Sequence, residues 1–152
     1  MTLQFLDSES PVESLAVRGG GKANQLAALN RIGCSVPRWF CIPVEGFDAA
    51  LFQAREESGE LAAGLVSLPV PNSIVELIPE ALAKRNLTEE FVAVRSSGLD
   101  EDGTEHSFAG QFESYLYRRG VEEIVDAIGR CWASAFSERN VAYRAAIGKS
   151  DA

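Results

Sequence analysis

The chain has 152 residues, of which 46% are hydrophobic and 24% charged, and its formal net charge is -8 at pH 7. This composition belongs to an ordinary globular domain, which disfavours both disorder and membrane spans, and at this length one core buries roughly 70% of the surface exposed by the unfolded chain. Basic residues are scattered apart from Lys84-Arg85 and Arg118-Arg119. The acidic balance therefore argues against a nucleic-acid surface, and an anionic ligand would need a local pocket.

Cys34, Cys41 and Cys131 are odd in number and show no CxxC spacing. Buried free thiols in a reducing compartment are expected rather than a disulfide framework or a zinc site. The N-terminus, MTLQFLDSES, lacks a basic stretch followed by an apolar one, so no signal peptide is predicted and the cytoplasm is the expected location.

In chain order, the first feature is Arg18-Gly19-Gly20-Gly21-Lys22, which runs into a helix from Ala23. Glycines and a lysine at a helix start can offer free N–H groups and an ammonium to an anion, helped by the helix dipole, with Gly21 and Lys22 as ligand-facing residues. A flexible turn with a solvated lysine is the other meaning of the same run. It is not a Walker A loop, because Ala23 stands where Ser or Thr is needed. Leu26, Leu29 and Ile32 are expected on the core face, with Gly33 ending the helix.

Trp39 to Ile42 read as a strand stopped by Pro43, and Val44 to Glu57 as a helix with Phe47, Ala50, Leu51 and Ala54 inward. From Ser58 to Pro71 a short helix and a loop are expected. Asn72 or Ser73 is predicted to cap a helix carrying Ile74, Leu77 and Ile78, broken by Pro79 and Asn86.

Phe91 to Val94 form an apolar strand that delivers Arg95, Ser96 and Ser97 into a loop rich in Gly, Ser and acidic residues. A second strand is predicted from the alternation of Phe112, Ser114 and Leu116 with Glu113, Tyr115 and Tyr117. Strand, glycine loop, strand is a way to bring backbone N–H groups to a phosphate. Asp100, Glu101 and Asp102 within this loop are more readily explained as solvated than as cation ligands, and Arg95 could pair with them instead of with a phosphate.

Val121 to Phe136 is the clearest helix: Val121, Ile124, Val125, Ile128, Cys131, Trp132, Ala135 and Phe136 recur at three- and four-residue intervals. Glu122, Glu123, Asp126, Gly129 and Arg130 are expected on the opposite face, and Trp132 and Phe136 are assigned to packing. Ser137 is a candidate cap for a last helix through Val141, Tyr143, Arg144 and Ile147.

Three ordered blocks, GGGKANQLAALNRIGCSVPRWFCI, FVAVRSSGLDEDGTEHSFAGQFESYL and CWASAFSERNVAYR, resemble the N-terminal nucleotide-binding domain of the phosphoenolpyruvate synthase and pyruvate phosphate dikinase family, which also occurs in rifampicin phosphotransferase. The resemblance covers residues 18–144. It implies an α+β, ATP-grasp-like lobe with a small mixed or antiparallel sheet packed with helices, residues 1–152 being a single domain and part of a larger enzyme.

What the resemblance further implies is a domain that binds ATP and passes its phosphoryl group to a histidine on a separate swivelling domain, then to an acceptor such as pyruvate, a drug or a glucan. Lys22 and Arg95 match the family's phosphate-contacting lysine and arginine. Ser107 to Gln111, including Gly110, match the loop that closes over the phosphates. Mg²⁺ ligands and the adenine linker would lie in a second lobe, expected after residue 152. His106 lacks the Thr-Ser-His surroundings of the phosphocarrier, and Gly98, Leu99 and Asp100 depart from the family's usual Ala and Thr after the RSS block.

Two alternatives remain: a stand-alone regulatory or interaction module derived from this lobe, and a carboxylate ligase of the ATP-grasp type, which the RSS and SFAGQ blocks disfavour.

Overall fold

The computed structural model describes residues 3–59, 65–98 and 113–137. A short helix α1 (Val12–Ser14) leads through a π-helical turn (Leu15–Gly19) into α2 (Gly20–Arg31), followed by α3 (Val44–Ser58), α4 (Asn72–Val75) and α5 (Ile78–Lys84). Strands β1 (Val92–Arg95) and β2 (Ser114–Arg118) precede α6 (Gly120–Ala133), which tightens into a final 3₁₀ turn over Ser134–Phe136. This is the expected α+β lobe with a small antiparallel sheet.

The sheet is a two-stranded ribbon in which Val92 faces Arg118, Val94 faces Tyr115 and Arg95 faces Ser114. Between the first two pairs β2 uses one residue more than β1, and Tyr117 takes up the bulge with a φ of 56°. Such a ribbon is marginal alone and needs a packed face. Val92 and Val94 supply it, joining a core of Ile74, Ile78, Leu82, Leu87, Ile124 and Ile128 drawn from α4, α5, the turn after α5, and α6.

The predicted stripe of α6 is the one that buries: Ile124, Ile128 and Cys131 are each at most 5% exposed. Glu122 and Glu123 occupy its first turn, and Glu123 Oε2 accepts the Arg119 N–H at 3.0 Å, closing the helix start. Helix α3 packs as predicted on Ala50 and Ala54, and stops at Gly59, whose φ of 80° a side chain would resist.

Several expectations are corrected. Helix α2 buries Ala23 and Ala27, whereas Leu29 is 43% and Ile32 76% exposed. Its phase is set by the glycines at its start, which press against another segment and turn the Gly20-Ala23-Ala27 stripe inward. Trp39 to Ile42 form no regular strand; Cys41 and Leu6 make a single antiparallel bridge, each N–H donating to the other carbonyl at 2.8 Å. The helix is broken into α4 and α5 as expected, with Pro79 in the first turn of α5, where its missing N–H costs nothing, and Asn86 past its end at a φ of 52°, but α4 follows Pro71 without a side-chain cap from Asn72 or Ser73. Residues 65–71 are not helical, and residues 60–64, where the short helix expected between Ser58 and Pro71 could fall, lie outside the described residues.

Cys34 is exposed rather than buried, because it lies just past the surface end of α2, where Gly33 has a φ of 83° and the Cys34 N–H returns to Leu29 O. The last helix expected around Val141 to Ile147 falls outside the described residues. Among the described residues no helix is long and apolar enough to cross a membrane.

Gly129 is also reassigned, from the solvent face of α6 to a buried contact. The Leu68 N–H donates to Gly129 O at 3.0 Å, and a Cβ on Gly129 would meet Leu68 O at 2.5 Å and Ser67 Oγ at 2.6 Å. In a free helix, Gly to Ala stabilises by about 1 kcal/mol. Here the backbone oxygen cannot rotate away, so Gly129→Ala is expected to destabilise the fold by about 1–3 kcal/mol in urea unfolding, reversing the sign that helix propensity alone predicts.

Candidate functional site

Two stretches far apart in sequence meet at the start of α2. Strand β1 ends at Arg95, and the following Ser97 and Gly98 run alongside the first helical turn. The Gly21 N–H donates to Gly98 O at 3.1 Å, and the Ala23 N–H donates to Ser97 Oγ at 3.1 Å. Gly20 lies flush against this segment with a φ of +74°, and a Cβ there would stand 1.9 Å from Ser97 O and 2.9 Å from Gly98 O. No other residue fits both the conformation and the space.

Lys22, half-buried, sits between the two engaged amides of Gly21 and Ala23. Arg95 is exposed at the end of β1, on the face opposite the inward Val92 and Val94. The structure therefore brings the segments bearing Lys22 and Arg95 side by side. It also corrects one expectation: the amides of Gly21 and Ala23 are not free for an anion, because the 97–98 segment already takes them.

From behind, the turn that carries the glycines is tied to α3. Arg18 Nε donates to Glu45 Oε1 at 2.6 Å in a half-exposed ion pair, and the Cys41 thiol points at Gly19 O at 3.4 Å. Burial pushes the Cys41 thiol up to about 12, so it stays protonated and serves as a donor rather than a nucleophile.

Ser107, Gly110 and Gln111, with His106 and Asp100 to Asp102, lie outside the described residues. Among the described residues no group of three or more His, Cys, Asp or Glu side chains is placed to hold a metal ion. Ser97, Gly98 and Glu45 were missed in the sequence. Helix caps are read from the residues next to a helix, and Ser97 is separated from Ala23 by 74 positions. The one local signal was the unusual length of the glycine run, which marks a close approach without naming its partner.

A family profile described as "Pyruvate phosphate dikinase, AMP/ATP-binding domain" matches residues 17–151. Rifampicin phosphotransferase of Streptomyces sp is 38% identical over 152 residues, covering 85% of this chain and 17% of its own. The prodigiosin synthesizing transferase PigC of Serratia marcescens is 35% identical over 147 residues, covering 88% of this chain and 16% of its own. Phosphoenolpyruvate synthase of Pyrococcus furiosus is 44% identical over 105 residues, covering 66% of this chain and 13% of its own. The chain thus spans 13% to 17% of the length of these curated relatives.

The Arg18–Glu45 pair gives the site a pH signature. Burial alone would raise the Glu45 carboxyl, but a backbone hydrogen bond together with the bond and charge of Arg18 brings it below its ordinary 4.5. Folding thus favours the ionised form, and the stability this supplies is present above pH 4.5 and lost as pH falls through the lower folded value. The urea midpoint of the wild-type chain should exceed that of Glu45→Gln near pH 7, with the gap narrowing as pH is taken below 4.5.

Proposed function

Because the chain belongs to the pyruvate phosphate dikinase AMP/ATP-binding domain family, we propose that it is the phosphate-holding lobe of an ATP-dependent phosphotransferase, with Lys22 and Arg95 as the cations on the triphosphate. The observation that supports this reading is the docking of the glycine-lysine helix start onto the residues just after Arg95. Phosphoryl transfer needs little covalent help from a protein. It needs charge to offset the oxygens of the transferred group and a frame that keeps attacking and leaving oxygens in line.

Lys22 supplies a compact ammonium and Arg95 a planar fork that can grip two phosphate oxygens at once. Gly21 contributes by having no side chain, which lets a ligand approach the first turn of α2, since its N–H is spent on Gly98 O. Ser107, Gly110 and Gln111 are assigned to the loop that closes over the phosphates. Among the described residues no carboxylate set fits Mg²⁺, whose ligands this reading places elsewhere in the intact protein. The roles of Lys22 and Arg95 do not depend on it.

In this reading the phosphoryl group passes to a histidine on another domain and then to an acceptor such as pyruvate. Acceptor choice lies outside this lobe, in keeping with relatives whose names include both a rifampicin phosphotransferase and a phosphoenolpyruvate synthase.

Titration of the chain with ATP and Mg²⁺ should give saturable amide shifts confined to residues 19–23 and 95–98 and to the 107–111 loop. Lys22→Ala and Arg95→Ala should each weaken ATP at least tenfold, about 1.4 kcal/mol. A variant that keeps affinity within about threefold removes that residue from the site. No shift at millimolar ATP, where binding is worth about 4 kcal/mol, would favour the interaction module instead.

A further inference from the structure

We propose that Ser97 is a positioning residue of this site, which sets Lys22 relative to Arg95 by capping α2 from the end of β1; the proposal rests on the phosphate reading above. Helix α2 has no side-chain cap from its own leading residue, which is Gly19. The acceptor that a local Ser, Thr, Asp or Asn would ordinarily supply comes instead from Ser97 Oγ, which takes the Ala23 N–H at 3.1 Å.

The placement of the three contacts matters as much as their presence. Gly20 touches Ser97 O, Gly21 bonds Gly98 O and Ala23 bonds Ser97 Oγ, so the held positions bracket Lys22 on both sides. Ser97 is two residues from Arg95, at the end of a strand whose Val92 and Val94 are packed in the core. The hydroxyl is therefore a short link between the segments of the two cations, and one oxygen can alter a ligand's affinity without touching the ligand. Removing it frees the Ala23 end of the bracket and leaves the Gly21 end in place.

The test is a double-mutant cycle on the full chain, with ATP and Mg²⁺ as the probe and thermal unfolding confirming that each variant is folded. Ser97→Ala should weaken ATP about fivefold, the size of a lost cap, and Ser97→Thr, which keeps the oxygen, should stay within about twofold of wild type. The deciding readout is coupling: the double variant Ser97→Ala, Lys22→Ala should bind as weakly as Lys22→Ala alone, about tenfold below wild type, rather than the roughly fiftyfold of independent losses.

Additive losses, an unchanged Ser97→Ala affinity, or a Ser97→Thr variant as weak as Ser97→Ala would overturn the proposal. Should Ser97→Ala fail to fold, Ser97→Cys, which keeps the shape of the side chain but offers only a weak acceptor, takes its place in the cycle with the same expected coupling. If Lys22→Ala itself leaves ATP affinity unchanged, the phosphate reading fails. If Lys22→Ala weakens ATP and Ser97 proves uncoupled, only the positioning role fails.

Discussion

The contact on which the arrangement depends is the one between Gly20 and the carbonyl of Ser97. A backbone approach this close excludes every side chain at position 20, and the positive φ there makes glycine the residue that adopts it without strain. From it follow the rotational phase of α2, the burial of Ala23 and Ala27 in place of Leu29 and Ile32, and the alignment that lets Gly21 and Ala23 donate to the 97–98 segment. Hydrogen bonds of this kind are each worth only about 1 kcal/mol net. They act here as register pins, while the hydrophobic clusters supply the stability.

Those clusters divide the labour by region. Ile74, Ile78, Leu82, Ile124 and Ile128 form a platform under one face of the β1–β2 ribbon, so strand alternation necessarily turns Arg95 to the other face. Leu6, Leu15, Ala23 and Ala27 seat α2 separately, with Trp39 and Cys41 at their edge. A third group, Ala54, Leu68 and Ala133, joins α3 to α6, and the Gly129–Leu68 contact belongs to the same seam. The segments of Lys22 and Arg95 thus come from two different cores, and the link between them is the polar seam at residues 20–23 and 97–98.

A second clamp, beside the cluster that seats α2, shows the same economy. Arg85 pairs with Asp7, donates to Trp39 O and Ala81 O at 2.9 Å, and lies over the Phe40 ring at 5.3 Å. One nearly buried guanidinium thereby fastens the N-terminal segment and the 39–40 segment to the end of α5, where a regular strand pairing was expected and a single bridge formed instead. Side-chain bonding to backbone carbonyls replaces the missing ladder.

Local pattern was enough for α3 and α6, because amphipathic spacing is written in consecutive residues: Ala50 and Ala54, Ile124 and Ile128 fall where their periods place them, whereas in the ribbon it gave the two strands but not their faces, since Phe91 of the run read as buried is 63% and Leu116 54% exposed. The three ordered blocks likewise sufficed for the family, since residue identities around Lys22 and Arg95 carry it without coordinates. The partner of the glycine run, the buried side of α2, the burial of Gly129 and the remote cap from Ser97 were decided by the tertiary structure. Each depends on a segment distant in the chain, and a glycine announces that something comes close while its missing side chain leaves no trace of what.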